Sequence, residues 1–481
     1  MPRFYLAILL TILAIIPQAN AQGGYLASWH RGLMGASFNP AFVAGATHSR
    51  EVNLIGGDLR SGNNLLATNL YGQFYPVNLV RGLKASAGSL PLFTAGNQDG
   101  FTFQGQQANW TGWQENHILG PGYSRRLETN PNLIERGLLR QAVFFQTGRE
   151  EHINLSGLPA EIAKYYHHNW KSDAMAPSSL ASDAVGLEVN QWDYLQVGYG
   201  FTLGRGLRLL HIGLSGQLRS VGAFGRANMW GTTWDFSEND LRIQADSMYW
   251  AYNPGFAGII SPTGGRRYNY FENSWGLSAG IGLVFQTLDY NRKPKWEVGA
   301  AWQQIGLVQY WNLDQTSYET VTGSLEYSEF GSARSGVSGI EALVGMLEAD
   351  SMRLENGITE SLPQKLSAHA KVRLGSGPWA IQVDGTTQLN WSENSLSRTR
   401  IRATLAVEEK SIALYFPLVM EVHSFESGDL DPSLGFVVSL RDVFVLGSDD
   451  VLSNMVLSAT RQGVYHSNLF IGLHVPINRD F

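Results

Sequence analysis

From Trp379 to Trp391 the chain alternates without a break. Trp379, Ile381, Val383, Gly385, Thr387, Leu389 and Trp391 are apolar, aromatic or at least uncharged, while Ala380, Gln382, Asp384, Thr386, Gln388 and Asn390 between them are mostly polar. A period of two is the signature of a strand with two unlike faces. Twelve steps of about 3.3 Å, tilted by roughly 40°, climb about 30 Å, close to the apolar band of an outer-membrane barrel. Strands of soluble sandwiches run to about 5–6 residues and have no need of this length. The pattern therefore predicts an all-β fold, a transmembrane antiparallel outer-membrane β-barrel.

The same alternation recurs along the chain. Leu195 to Leu203, Arg208 to Leu218, Trp275 to Phe285, Trp296 to Trp302, Leu366 to Leu374, Ile401 to Val407, Ile412 to Val422, Leu434 to Leu440 and Leu469 to Ile477 each place alternate apolar residues on one side. Weaker candidates lie at 51–60, 64–75, 140–148, 183–192, 226–236 and 240–250. The expected total is about 14 strands, with 12 to 16 allowed, because single barrel strands signal weakly. Trp275, Trp296, Trp379 and Trp391 fall where interfacial aromatic anchors belong. Gly375-Ser376-Gly377-Pro378 and Glu408-Glu409-Lys410 read as tight turns. Long loops are expected near 91–138, 149–182 and 306–364. Short helices inside them are read after Pro159, with Ile162, Tyr165, Tyr166 and Trp170 in one stripe, and at Ile340 to Leu347 with Ser338 as N-cap.

Residues 1–21 read as a signal peptide: Arg3, an apolar run from Phe4 to Ile16, then Ala19-Asn20-Ala21 for cleavage. That run is short for a helical span, and no later stretch approaches the ~20 apolar residues one requires. The mean hydropathy of −0.13 suits a barrel, in which only alternate residues meet lipid. Charged residues make up 16%, against roughly 25% in soluble domains. With no cysteine, the chain has no disulfide framework, thiolate metal site, cysteine nucleophile or cysteine-linked lipid anchor. A net charge of −6, or −7 once Arg3 leaves with the signal, does not favour nucleic acid.

No Gly-x-Ser-x-Gly elbow and no His-Glu-x-x-His motif is present, so the expectation is a protein without enzymatic activity, metal or cofactor. The adjacent His167 and His168 would point about 100° apart on a helix, which argues against joint ligation. The polar set of most interest is interior. Arg398, Arg400 and Arg402 share one strand face, Lys371 and Arg373 another, and Gln382 and Asp384 lie on the strand between them. As neighbours in a meander these form a lumenal polar cluster. It is either a bracing salt-bridge network or a site for anionic groups.

At Asn39-Pro40-Ala41-Phe42, after Gly32 and Gly35-Ala36-Ser37, the chain resembles the amino-terminal part of the long-chain fatty-acid transporter superfamily. It is most similar to a Bacteroidota branch of outer-membrane barrels of unknown function related to the PorV and PorP/SprF-type barrels of type IX secretion and gliding. Leu158-Pro159 before His168-Asn169, the strand pair Tyr194–Phe201 and Leu207–Leu218, and Leu362-Pro363-Gln364-Lys365-Leu366 carry the rest of the likeness. The resemblance implies a hatch-like segment over 22–50, with Asn39, Pro40 and Ala41 turning inside the lumen, and a barrel over 51–481. An ordinary turn into the first strand is the alternative. It also implies that Phe481, in phase with the lipid face of the last strand, is an insertion signal read by barrel-assembly machinery. The expected location is the cell outer membrane, with its lipid as partner. The expected function is porin-like passage of a small, hydrophobic solute. The alternatives are a non-transporting scaffold for a secreted or surface protein, and a secreted soluble β-sandwich.

Overall fold

The computed structural model describes residues 32–46, 48–63, 66–68, 101–103, 109–160, 178–237, 240–253, 274–290, 294–311, 313–326, 348–354, 357–374, 377–389, 398–409, 412–423, 431–440, 443–453 and 466–479. Its first strands are β1 (His48–Asn63), β2 (Leu66–Thr68), β3 (Phe101–Phe103), β4 (Asn109–Leu127), β5 (Leu138–Pro159), β6 (Ser178–Arg205) and β7 (Arg208–Phe236). There follow β8 (Asp240–Tyr252), β9 (Ser274–Leu288), β10 (Pro294–Tyr310), β11 (Asp314–Glu326), β12 (Glu348–Leu354), β13 (Ile358–Ser361) and β14 (Gln364–Arg373). The chain closes with β15 (Trp379–Leu389), β16 (Arg398–Glu408), β17 (Ile412–His423), β18 (Asp431–Leu434), β19 (Phe436–Leu440), β20 (Phe444–Ser448) and β21 (His466–Arg479). Three short helices are α1 (Gly32–Gly35), α2 (Phe42–Gly45) and α3 (Pro131–Glu135).

The wall is a closed antiparallel barrel of fourteen strands. Around it run β1, β4, β5, β6, β7, β9, β10, β14, β15, β16, β17, the pair β18 and β19, β20 and β21. β21 pairs back onto β1, as His48↔Arg479 to Gly62↔His466. The large sheet closes on itself instead of packing against a facing sheet, which sets aside the sandwich alternative; β2 and β3 form a separate two-stranded pair.

The alternating positions face as their polarity requires. On β9, Leu277, Ile281 and Leu283 are exposed outward and Ser278 is buried. On β16, Leu405 faces out while Arg400, Arg402 and Thr404 are buried. Trp275, 71° to Trp311 in an edge contact, marks one end of the outer face of β9 and Phe285, 5.3 Å from Trp296, the other. The ten steps from Trp275 to Phe285 span about 25 Å at the usual rise and tilt, the height of an apolar band. Trp379 is exposed at the same end as Trp296. Trp391, Phe481, the signal segment and both loop-helix patterns beyond Ala160 lie outside the described residues.

Several boundaries differ from those read in the sequence. The stretch 91–138 is not a loop: β4, a wall strand, runs through it. Its outward Gln114 and Asn116 are polar, and Gly120-Pro121-Gly122 coincides with a register shift, so the apolar alternation that marks other strands is missing. The loop near 149–182 is shorter than expected, since β5 runs to Pro159 and β6 starts at Ser178. The segments 183–192 and 195–203 are one strand, β6. Likewise 208–218 and 226–236 are joined in β7. Segment 240–250 belongs to β8, which is not in the wall: it pairs with the upper part of β7 and with β11. The stretch 306–364 holds β11, β12 and β13, and with β8 they extend one side of the barrel beyond the long-loop end. By the usual sidedness of such barrels, short turns face the periplasm and this extension faces outward.

Replacing Ile281, exposed on the outer face of β9, with arginine is expected to lower folding stability by about 2–4 kcal/mol if the residue lies near the bilayer midplane. Denaturant titration in lipid vesicles measures it.

Candidate functional site

The segment from Gly32 to Ala46 is folded inside the barrel and is buried along nearly its whole length. Two four-residue helices have no independent stability in water, so the wall must hold them. Between them, Pro40 fixes φ and restricts Asn39, and the Ala41 N–H donates to Asn39 Oδ1 at 2.9 Å, which closes a rigid turn. Asn39 Nδ2 then donates to two wall carbonyls, Leu283 O on β9 and Ala300 O on β10, each at 3.3 Å.

The wall is shaped to admit this turn. Ala142, Gly200, Gly213, Gly282, Ala301 and Ser367 are consecutive cross-strand partners on β5, β6, β7, β9, β10 and β14. A Cβ at Gly213 would sit 2.2 Å from Ala41 N, and one at Gly282 would sit 1.9 Å from Asn39 Oδ1. The groove therefore exists because Gly200, Gly213 and Gly282 have no side chain and Ala142, Ala301 and Ser367 have small ones. Further bonds come from around the wall: Leu33 N–H to Glu51 Oε2 at 2.6 Å, Thr202 Oγ1 to Ala44 O at 3.1 Å, Gln303 Nε2 to Ala36 O at 3.3 Å and Arg126 Nη2 to Ala46 O at 2.9 Å. Phe38 and Phe42 stack together, with Phe42 5.2 Å from His369. Met34 joins an apolar cluster with Leu119, Tyr415 and Phe470. This inward-folded segment occupies the lumen where the resemblance expects a hatch, and is called the hatch below.

Charged groups form two hubs in the lumen beside and above it. Glu150 accepts from Arg219 Nη1 at 2.9 Å, Lys365 Nζ at 3.2 Å and Gln304 Nε2 at 2.8 Å. The second hub contains much of the polar set read from the sequence. Arg402 Nη2 meets Asp384 Oδ2 at 3.0 Å, Gln382 Nε2 donates to the same oxygen at 2.7 Å, and Arg400 Nη2 meets Asp449 Oδ2 at 2.7 Å. Lys371 is apart from these, paired with Glu408 at 2.6 Å. Arg373 is half-buried at the short-turn end of β14, and the side chain of Arg398 lies outside the described set. Glu150 and Asp449, the two carboxylates that organise the hubs, lie in no sequence pattern that would have singled them out. Asp449 and Asp450 follow the last residue of β20.

Towards the long-loop end lies an apolar cluster of Trp192, Val221, Phe224, Val308, Tyr310 and Leu362. At its edge Arg226 is held by Glu188 and Glu360, each at 3.1 Å. Among the described residues the wall ladder is interrupted between β18 and β21. β20 has five residues, and β21 continues past it to His466. Among the described residues no ladder pairing joins β18 to β21 above Ser448. Side chains bridge the interval: Leu434 N–H donates to Ser453 Oγ at 2.6 Å, and Asp449 N–H to Asn468 Oδ1 at 2.7 Å. The exposed Leu434 borders it. Among the described residues no group of three or more histidines and carboxylates is arranged to hold a metal ion.

A closed, apolar-coated barrel with a folded-in amino-terminal hatch defines the class, an outer-membrane β-barrel protein. Its sequence matches no family model and no curated protein. Among solved structures it is similar to the CymD monoaromatic hydrocarbon channel, at 10% identity and a TM-score of 0.33, over 95% of this chain and 94% of that one. It is also similar to the translocator domain of the autotransporter NalP from Neisseria meningitidis, at 9% and 0.27 over 89% and 88% of the two chains. A FadL homologue from Pseudomonas aeruginosa matches at 11% and 0.23 over 95% and 96%. Superpositions this loose carry no functional weight, and the assignment rests on the strand ladder.

Arg402→Gln leaves Asp384 buried without its guanidinium and is expected to destabilise the barrel by about 3–5 kcal/mol, with recovery in the Arg402→Gln, Asp384→Asn pair. Denaturant titration of the heat-modifiable gel band reads both.

Proposed function

We propose that this barrel passes a small hydrophobic solute across the outer membrane, entering through the apolar cluster at the long-loop end and leaving past the hatch. The observation that carries the reading is that, among the described residues, no backbone ladder joins β18 to β21 above Ser448, and side-chain bonds lie there beside the exposed Leu434. The buried apolar cluster around Trp192, Phe224 and Tyr310 would part to line the path of such a solute with apolar side chains. The hatch closes the lumen to polar solutes.

The test displaces the hatch. Gly213→Leu places a side chain where Pro40 and Ala41 now lie. Cells bearing the variant should take up naphthalene several-fold faster than cells bearing the wild-type chain, under conditions in which the lipopolysaccharide layer limits entry. Wild-type uptake no faster than in cells lacking the barrel would sink the proposal.

A second reading has one observation in its favour. β6 and β7 are 28 and 29 residues long and, with β8, β11 and β12, build a sheet that outruns the rest of the wall at the outward end. Such a face suits a scaffold for a secreted or surface protein, the role implied by the type IX secretion and gliding resemblance.

A further inference from the structure

Between the glycine groove and the Glu150 hub runs a transverse row of uncharged amides. Asn53 on β1, Gly122 on β4, Gln146 on β5, Gln196 on β6 and Gln217 on β7 are successive cross-strand partners. The row lies four residues above the hatch seat (Ala142, Gly200, Gly213) and, on β5, four below Glu150. Gln217 is engaged, accepting from Arg219 Nη2 at 2.7 Å and from Ser278 Oγ at 3.2 Å. Gln146 and Gln196 are not. Both are wholly buried, and neither the Oε1 nor the Nε2 of either has a hydrogen-bond partner.

An unmet buried polar group is costly, and here two adjacent side chains leave four such atoms. A valine or leucine pair would fill the same volume without that cost. Phe144, the next inward residue on β5 towards the hatch, packs with Leu33, Ala36 and Val43 of the hatch. The seated hatch therefore reaches, through Phe144, the inward position next below Gln146. A group arriving there would find paired donors and acceptors and no net charge.

We propose that Gln146 and Gln196 form a polar binding point for a neutral hydroxyl- or carbonyl-bearing group on an otherwise apolar solute. This deepens the passage reading and rests on it for the route by which the solute arrives. The lumenal cations point the same way. Arg219 and Lys365 face Glu150, Arg400 faces Asp449, Arg402 faces Asp384 and Lys371 faces Glu408. A free carboxylate would have to break one of these pairs to find a counter-charge, whereas a neutral group needs only the amides.

Binding of three matched probes to the purified full-length protein in detergent tests it: naphthalene, 1-naphthol and 1-naphthoate. Because the three share one ring system, the ratio of their affinities isolates the polar contact. In the wild type, 1-naphthol should bind about tenfold tighter than naphthalene and 1-naphthoate weaker than 1-naphthol, tenfold corresponding to about 1.4 kcal/mol. In Gln146→Leu, Gln196→Leu the ratio of 1-naphthol to naphthalene should fall to about one with naphthalene binding retained. If the double variant does not give a heat-modifiable band, single Gln196→Met replaces it and should lose at least half of the preference. A preference that survives the substitutions would mean the row holds only water, and tighter 1-naphthoate than 1-naphthol in the wild type would mean an acid site; either overturns the proposal. Whole-cell naphthalene uptake separates the two readings: its absence with the 1-naphthol preference intact removes passage and leaves the amide site standing.

Discussion

Everything in this chain follows from the rule that backbone N–H and C=O groups cannot be left unpaired in hydrocarbon. An open sheet has two edges, so the fourteen-strand wall must return on itself, and β21 closes it by pairing with β1. Closure fixes which way every side chain points. Outward positions such as Ile281, Leu283 and Leu405 meet lipid and must be apolar. Inward positions are free to be polar, but a barrel of this size leaves an interior that has to be filled. The chain fills it with its own amino-terminal segment and with charges that satisfy one another.

The hatch and the wall are complementary in a way that neither shows alone. Asn39 and Pro40 could make a tight turn in many settings. Here the turn enters the wall because Gly200, Gly213 and Gly282 come into line across three strands, and a Cβ at either of the last two would collide with it. The residues that hold the hatch are spread over β1, β4, β6, β9 and β10, so it is anchored on many sides by single, individually modest hydrogen bonds. Many weak anchors give a segment that stays seated but does not need one large barrier to leave.

How much of this can be read in the sequence depends on which solvent a face meets. Lipid accepts only apolar side chains, so the outer faces of β9, β14, β16 and β21 repeat with a period of two and are legible. β4 is not, because Gln114 and Asn116 break its outward alternation. Arg400, Arg402, Lys371 and Asp384 stand out as charges on strands otherwise apolar on the other side, and the structure places each in an ion pair. Their partners were harder to see. Asp449 comes from the turn after β20, and Glu408 from the edge of a tight turn, positions where a carboxylate is ordinary. The glycines of the hatch seat each look like routine strand glycines, and only the register between strands shows that they form one groove.

One irregularity ties the hatch to the charge hub. In β10 the register slips between Trp302 and Ile305, and Gln304 adopts φ of 60°, a left-handed conformation rarely used by a residue with a side chain. A regular strand would send Gln303 and Gln304 to opposite faces. The bulge turns both inward, where Gln303 donates to Ala36 O of the hatch and Gln304 to both oxygens of Glu150. Backbone strain of this kind costs roughly 1–3 kcal/mol and persists where the surroundings fix it. Here two side chains one residue apart in sequence grip the hatch and the hub, so relaxing the bulge would release at least one of them. A change at Glu150 and a change in the seating of the hatch are thus mechanically linked through two residues of a single strand.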